Sequence, residues 1–156
     1  MKFRIFWVGS NADAEYREAI DRYLNRIKHF FPIEVTTIPP EKGRQSKSDM
    51  AVLHADSARL VAAIPARGTT VVLDERGESF DSLKFAKFLE RLTTSDPYGI
   101  NFVLGGDVGL DDGVRRRADK LLSLSAMTLP HQIARLVLLE QIYRACTVMR
   151  NIPYHK

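Results

Sequence analysis

Residues 121–156 read LLSLSAMTLPHQIARLVLLEQIYRACTVMRNIPYHK, and this stretch decides the fold. Its apolar start, 121–124, predicts a buried strand. The polar residues 125–128 predict a tight loop. Residues 130–149 predict a long helix, because the fixed φ of the first residue, a proline, suits a first helical turn. The chain then ends in Tyr154-His155-Lys156. A strand, a loop and a helix in this order are typical of an α/β protein, where such loops bind ligands.

Four more apolar runs precede this stretch and predict strands, at Phe3–Val8, Ile33–Ile38, 69–73 and 101–104. Helical patterns separate them and are expected over 12–30, from Ser48 or Asp49 to about Ile64, from Asp81 or Ser82 to about Leu92, and in a short segment from Asp111 or Asp112. A turn-rich loop is expected at 74–79, after the third strand. Strands that alternate with helices predict a single α/β domain over residues 1–156, with a mainly parallel sheet and helices on both faces.

Composition narrows the classes of function. The 156-residue chain carries 23 Lys and Arg against 19 Asp and Glu, a net charge of +4, which permits a polyanionic partner without requiring one. The single cysteine, Cys146, excludes an internal disulfide and a multi-cysteine zinc site, and no metal is expected. No apolar run approaches the roughly 20 residues that span a bilayer, and the N-terminal run is too short for a signal peptide. We therefore expect a cytoplasmic protein without a membrane segment.

Three loops are expected to meet at one edge of the predicted sheet, after Leu73, Leu104 and Leu124, because ligands dock at the carboxyl ends of parallel strands. The second loop contains Gly105-Gly106-x-x-Gly109, where the missing Cβ atoms allow the backbone to approach a ligand. This motif is neither a dinucleotide-binding fingerprint nor a phosphate-binding P-loop. Ordinary turn glycines explain it equally well.

Charged residues on the last predicted helix have two interpretations. Glu140 and Arg144 are four residues apart and can form a structural ion pair. They can equally line a site or a subunit interface. The helix is apolar over more than one stripe, which predicts a second packing surface and hence a homodimer.

The polar loop 41–48 carries Lys42, Arg44 and Lys47. It is either a solvated linker or a flexible arm that contacts phosphate groups.

Three segments together resemble the RlmH-type methyltransferases of the SPOUT class. They are 123–131 (SLSAMTLPH), Glu140-x-x-Tyr143-Arg144-Ala145, and Asn151-x-Pro153-Tyr154-His155. The Leu73-Asp74-x-x-Gly77 segment and the glycine loop also match that family in place and order, and the resemblance covers essentially the whole chain. The family usually reads Gly-Gly-Pro-Glu-Gly, whereas Asp107-Val108 replace Pro-Glu here.

The resemblance implies S-adenosylmethionine-dependent methylation of a pseudouridine at ring N3 in 23S ribosomal RNA of the large subunit, on the assembled ribosome. It also implies a C-terminal trefoil knot, which general topology rules would have rejected, and a homodimer. The cofactor contacts implied by motif are Leu73, Gly105, Leu124, Ser125, Ala126, Met127, Thr128 and Leu129. The catalytic residues implied are Arg144, Tyr154 and His155, with His131 as a further candidate.

The chemistry of these residue types agrees with that reaction. A sulfonium donor already carries an activated methyl group, so neither a metal nor a covalent nucleophile is needed, and alignment is the main task. Histidine is suited to accept the N3 proton, arginine to stabilise charge on the ring oxygens, and tyrosine to stack on the base. Phosphate contacts are predicted for Lys42, Arg44, Lys47, Arg115, Arg116, Arg117, Arg150 and Lys156. The alternatives are a non-catalytic ribosome-associated RNA-binding protein and a small nucleotide-binding α/β enzyme.

Overall fold

The computed structural model describes residues 1–9 and 13–155, and of Arg44 the backbone only. The predicted start of the first helix at Ala12 and the predicted phosphate contact of Lys156 lie outside the described residues, as does the side chain of Arg44.

A five-stranded sheet forms the centre of the described chain, in the order β2-β1-β4-β3-β5. The elements are β1 (Phe3–Val8), α1 (Ala14–Lys28), β2 (Ile33–Ile38), α2 (Asp49–Ala63), β3 (Thr69–Ser79), α3 (Ser82–Ser95), β4 (Ile100–Leu104), α4 (Asp112–Arg116), β5 (Lys120–Ser123) and α5 (His131–Met149), with a 3₁₀ turn at Arg44–Ser46. Every strand pair is parallel. The predicted order of elements and the parallel sheet are confirmed.

Three helices begin at side chains that accept a backbone hydrogen bond. Ser48 accepts from the N–H of Ala51 at 3.2 Å, and Asp81 from that of Lys84 at 2.7 Å. Asp111 accepts from the N–H of Val114 at 3.1 Å. Such caps satisfy amides that the first helical turn leaves without a partner, so they fix where α2, α3 and α4 start.

The strands bury side chains on both of their faces. In β1, Phe3, Ile5 and Trp7 belong to the core that α1, α3 and α5 cover. Phe6 and Val8 belong to the second core, beneath α2 and α4. Because successive strand residues point to opposite faces, the continuous apolar run of β1 requires helices on both sides. The predicted two-sided packing is confirmed.

The helix α5 is apolar on more than one stripe because it packs against α1 and α3 as well as the sheet. Much of the second packing surface predicted for a dimer is thus covered within the chain. Arg135 on this helix is fully buried, where its Nη2 donates to the Val8 carbonyl at 2.6 Å and its guanidinium lies 4.7 Å from the centre of the Trp7 ring. No helix among the described residues is long and apolar enough to cross a membrane.

The predicted loop at 74–79 is wrong, because β3 continues to Ser79. Its register shifts on the way, and Leu122 of β5 pairs first with Leu73 and then with Glu78. Gly77 lies against the β5 backbone in between. A Cβ at this position would stand 2.5 Å from the amide nitrogen of Leu122 and 2.6 Å from the carbonyl carbon of Leu121. Only glycine fits there, since neither backbone atom can swing aside.

An ion pair ties β3 to α4. Arg115 Nε donates to Asp74 Oδ2 at 2.7 Å, and its Nη1 donates to Asp112 at 3.0 Å. The Asp74 side chain is only 5% exposed. Burial by itself raises the pKa of this carboxyl, but hydrogen bonds from the Arg76 N–H and the Arg115 guanidinium outweigh burial and hold the pKa below its usual value.

We expect Gly77→Ala to lower the free energy of unfolding by about 3 kcal/mol or more, or to leave no soluble folded protein, because the new methyl group overlaps backbone atoms. Urea denaturation measures the effect. Gly113→Ala is the matched control, since its Cβ would meet a side-chain oxygen of Asp111 at 3.0 Å rather than backbone. Equal stabilities of the two variants would contradict the close packing described for Gly77.

We expect the stability advantage of the wild type over Asp74→Asn to depend on pH. The pKa of Asp74 is lowered in the folded protein, so its ionised form stabilises the fold above the unfolded-state pKa, which is about 4. The advantage should be full at neutral pH and shrink as the pH falls through the folded-state pKa. Urea denaturation at several pH values measures it, with Asp112→Asn, 74% exposed, as the control. An advantage of constant size across this range would refute the interpretation.

Candidate active site at the carboxyl edge of the sheet

The three loops expected at one sheet edge do meet there. They enclose an open cavity of about 910 Å³. Seven of the eight predicted cofactor contacts line it, namely Leu73, Gly105, Leu124, Ser125, Met127, Thr128 and Leu129, whereas Ala126 does not. Their grouping follows from the parallel sheet, which brings the carboxyl ends of β4, β3 and β5 side by side. Their contact with a cofactor stays a prediction.

The glycine loop forms one wall of the cavity and is also a tight turn. The N–H of Gly109 donates to the Gly106 carbonyl at 3.1 Å, and Gly109 has a φ of +82°, which glycine tolerates best. A Cβ on Gly105 would stand 2.7 Å from the Gly109 carbonyl oxygen. The turn alone therefore explains these glycines, while Gly105 and Gly106 also expose backbone to the cavity.

The serine-rich loop after β5 forms the facing wall. Ser123 donates its hydroxyl to the Ser125 carbonyl at 3.1 Å, and Ser125 accepts from the N–H of Met127 at 2.9 Å. These bonds order the loop while the side chain of Met127 remains exposed.

An ion pair bridges the glycine loop and the start of α5. His131 Nδ1 lies 2.6 Å from Asp107 Oδ1, and both residues line the cavity. The resemblance implied His131 as a candidate catalytic residue but gave no hydrogen-bonding partner for it. Asp107 stands where the family usually has proline. The departure from the family motif thus adds a carboxylate to the cavity wall. Asp74 and Glu75 add two more carboxylates to a wall that is otherwise largely apolar.

The predicted catalytic residues form a second cluster, at the far end of α5. Arg144 donates to Glu140 Oε1 from Nη2 at 2.5 Å and from Nε at 3.1 Å, and the Tyr154 hydroxyl donates to the same oxygen at 3.1 Å. The Arg144 guanidinium lies 4.7 Å from the Tyr154 ring centre, and its Nη1 is 3.5 Å from His155 Nδ1. The sequence left open whether Glu140 and Arg144 form a structural ion pair or line a site, and the structure shows that Glu140 also holds Tyr154 and so organises the cluster.

Two members of this cluster are held in their protonated forms. The hydrogen bond and charge of Glu140 raise the pKa of Arg144. Burial, a hydrogen bond with Tyr23 and the negative charge of Glu140 raise the pKa of Tyr154 well above its usual value. Neither side chain accepts a proton near neutral pH.

The cavity and the cluster are separate within one chain. The cavity reaches along α5 only as far as Ala134, and Arg144, Tyr154 and His155 do not line it. Arg144 follows Ala134 by ten positions in the helix, a distance of about 15 Å along the helix axis at 1.5 Å per residue. The length of α5 therefore keeps the implied cofactor contacts and the implied catalytic residues apart within one chain.

Several of the residues predicted to contact phosphate make ion pairs or hydrogen bonds within the chain. Arg115 is bound to Asp74 and Asp112, and Arg117 donates to the Pro65 carbonyl at 2.7 Å. The start of the loop 41–48 is hydrogen-bonded to α2. In this loop Glu41 pairs with Lys47 and with Arg59, and the Glu41 N–H donates to Asp56 at 2.7 Å. Lys42, Arg116 and Arg150 remain exposed.

Comparisons with known proteins identify the family of the chain. The family described as "Predicted SPOUT methyltransferase" matches residues 1–155. Two curated relatives carry the name "Ribosomal RNA large subunit methyltransferase H", from Trichlorobacter lovleyi and Geobacter sulfurreducens. Each is 39% identical over 155 residues, covering 99% of both chains. A solved probable methyltransferase from Bordetella pertussis shares the fold with a TM-score of 0.56 at 14% identity, covering 93% of this chain and 94% of its own. The chain therefore belongs to the SPOUT methyltransferase family.

Proposed function

We propose that the protein transfers a methyl group from S-adenosylmethionine to ring N3 of a pseudouridine in 23S ribosomal RNA of the large subunit. The observation that carries this proposal is the full-length similarity to relatives named as large-subunit ribosomal RNA methyltransferases, together with a cavity at the matching loops.

The cavity suits the cofactor in size and charge. Its volume of about 910 Å³ lies in the range of sites that bind small molecules. When bound, S-adenosylmethionine supplies an activated methyl group on a positively charged sulfur. The carboxylates of Glu75 and Asp107 in the cavity wall favour a cationic ligand. The backbone groups of Gly105 and of the 124–129 loop would hold the adenosine part.

The cluster at the end of α5 suits the acceptor base. Arg144 keeps its positive charge and would stabilise negative charge on the ring oxygens as N3 loses its proton. Tyr154 keeps its hydroxyl proton and presents a ring on which a base can stack. Proton acceptance is assigned to His155, the residue implied by the family resemblance, because its imidazole is exposed and can accept a proton.

The separation of the two sites supports a homodimer in which each active site is shared. The cavity of one subunit and the tail of its partner would together form one complete site. Large apolar side chains remain exposed beside each half, since Met127 is 74% exposed at the cavity and Ile152 is 45% exposed in the tail. Burial of such side chains is typical of subunit interfaces.

The pairing of Leu122 supports the trefoil knot. A strand has two hydrogen-bonding edges, and Leu122 of β5 pairs with both Leu73 and Glu78 across a register shift. If those partners lie on opposite edges, the chain between them crosses β5. The contact of Gly77 with the 121–122 peptide is what such a crossing requires.

Recognition of the RNA is proposed to depend on the shape of the ribosome, in the cytoplasm. The exposed Lys42, Arg116 and Arg150 suit phosphate contacts. Arg44 and Lys156 are proposed for the same role from the sequence.

Incubation of the protein with labelled S-adenosylmethionine and large ribosomal subunits, followed by mass spectrometry of RNA fragments, tests the function. We expect one N3-methylated pseudouridine. His155→Ala should lower the rate by roughly 100-fold or more, since general base catalysis contributes at least that factor. His54→Ala, on α2 and paired with Asp111, is the control and should retain the wild-type rate. Ribosome binding without methylation would instead favour a non-catalytic RNA-binding protein.

Mixed dimers test the shared site. A Gly105→Val subunit lacks a usable cavity, and a His155→Ala subunit lacks the tail base, so each homodimer should be inactive. In a randomly exchanged equal mixture, half of the dimers are mixed, and each of these has one site without either substitution. The mixture should regain about a quarter of wild-type activity. No recovery, with exchange confirmed by native mass spectrometry, would show that cavity and tail act within the same chain.

A further inference from the structure

Arg115 differs from the other cavity residues in its charge and in how firmly it is held. It lines the cavity, and its side chain is 22% exposed. The nearly buried Asp74 binds its Nε, and Asp112 binds its Nη1. The remaining nitrogen, Nη2, makes no hydrogen bond with any residue in 1–9 or 13–155. A guanidinium fixed on two sides therefore retains a terminal nitrogen for another acceptor.

The charges around the cavity show which ligand group this nitrogen suits. Among the described residues, the cavity wall contains the carboxylates Asp74, Glu75 and Asp107 and two basic side chains, Arg115 and His131. His131 is paired with Asp107 at 2.6 Å. S-adenosylmethionine carries an ammonium, a sulfonium and one carboxylate. The carboxylate is repelled by the acidic side chains of this wall, and Arg115 supplies a guanidinium in the same lining.

We propose, on the basis of the function proposed above, that Arg115 binds the α-carboxylate of S-adenosylmethionine and that Asp74 positions the guanidinium for this contact. Both oxygens of Asp74 are already engaged, one by Arg115 and the other by the N–H of Arg76 at 2.9 Å. Asp74 therefore holds Arg115 rather than the ligand. A preorganised arginine loses little side-chain freedom on binding, which favours affinity.

The same contact accounts for orientation in the cavity. The ammonium and sulfonium of the ligand are attracted to Glu75 and Asp107, while the carboxylate is directed to Arg115 on α4. A ligand turned end for end would place its carboxylate against carboxylates. Charge in the cavity wall thus contributes to a single binding pose.

Titration calorimetry with two ligands tests the proposal. The first is S-adenosylmethionine, and the second is decarboxylated S-adenosylmethionine, which keeps the adenosine, the sulfonium and the amine. Arg115→Gln should weaken binding of the first by about tenfold or more and that of the second by less than about twofold, because only the first has the charged acceptor. Arg115→Lys, which keeps the charge but loses the fork, should lie between wild type and Arg115→Gln. Arg91→Gln, on α3 and exposed, should bind both ligands as the wild type does.

Each other outcome is informative. If Arg115→Gln and Arg115→Lys weaken both ligands equally, Arg115 only supports the cavity wall, and the proposal is wrong. Unchanged affinity for both ligands would also overturn it. If the Gln variant does not fold, as its thermal melt would show, the Lys variant and the wild-type preference for the carboxylated ligand decide. Wild-type protein that binds neither ligand would overturn the cofactor assignment itself, a failure distinct from that of Arg115.

Discussion

The structure depends most on the contact between Gly77 and the backbone of β5. The second half of β3 can return to Leu122 only because residue 77 has no side chain, and the nearest atoms to its absent Cβ belong to the peptide backbone. That return keeps β5 paired over its short length, although β5 has only four residues. The loop after β5, which forms one wall of the cavity, starts from this fixed position. The absence of a side chain at residue 77 thus helps to determine where the cavity forms.

Electrostatic interactions connect charged residues of the cavity wall with a buried arginine in the core. Arg135 is fully buried beneath the carboxyl end of β1, and its burial lowers the pKa of the guanidinium, whereas the charges of Asp107 and Asp13 oppose that shift. Asp107 also pairs with His131. The carboxylate therefore acts on a buried cation and on a histidine at the cavity mouth. Because desolvating an arginine is costly, a nearby negative charge stabilises the fold here, and replacement of the family's proline by Asp107 adds that charge.

Much of the fold could be predicted from periodicity and capping residues, because these signals are local. The strands Phe3–Val8 and Ile33–Ile38 and the caps Ser48, Asp81 and Asp111 follow directly from neighbouring residues. The extension of β3 to Ser79 could not be predicted, since the segment is polar and its pairing partner lies more than 40 residues away. The ion pair of Arg115 with Asp74 could not be predicted for the same reason. A run of three arginines predicts phosphate contacts, but the carboxylate that binds Arg115 is 41 residues distant in the chain.

The division of the site follows from the rigidity of α5. A helix of 19 residues is about 28 Å long, and its middle is packed on α1, α3 and the sheet, so it cannot bend to bring its ends together. The cavity lies at its first turn and the Arg144 cluster near its last. Tyr154 and His155 are held to that cluster by Glu140 and Arg144, so the tail is not free to reach back along the helix. Methyl transfer requires donor and acceptor within contact distance. A single chain of this shape keeps the proposed donor site and acceptor site apart, and a second copy is the simplest molecule that brings them together.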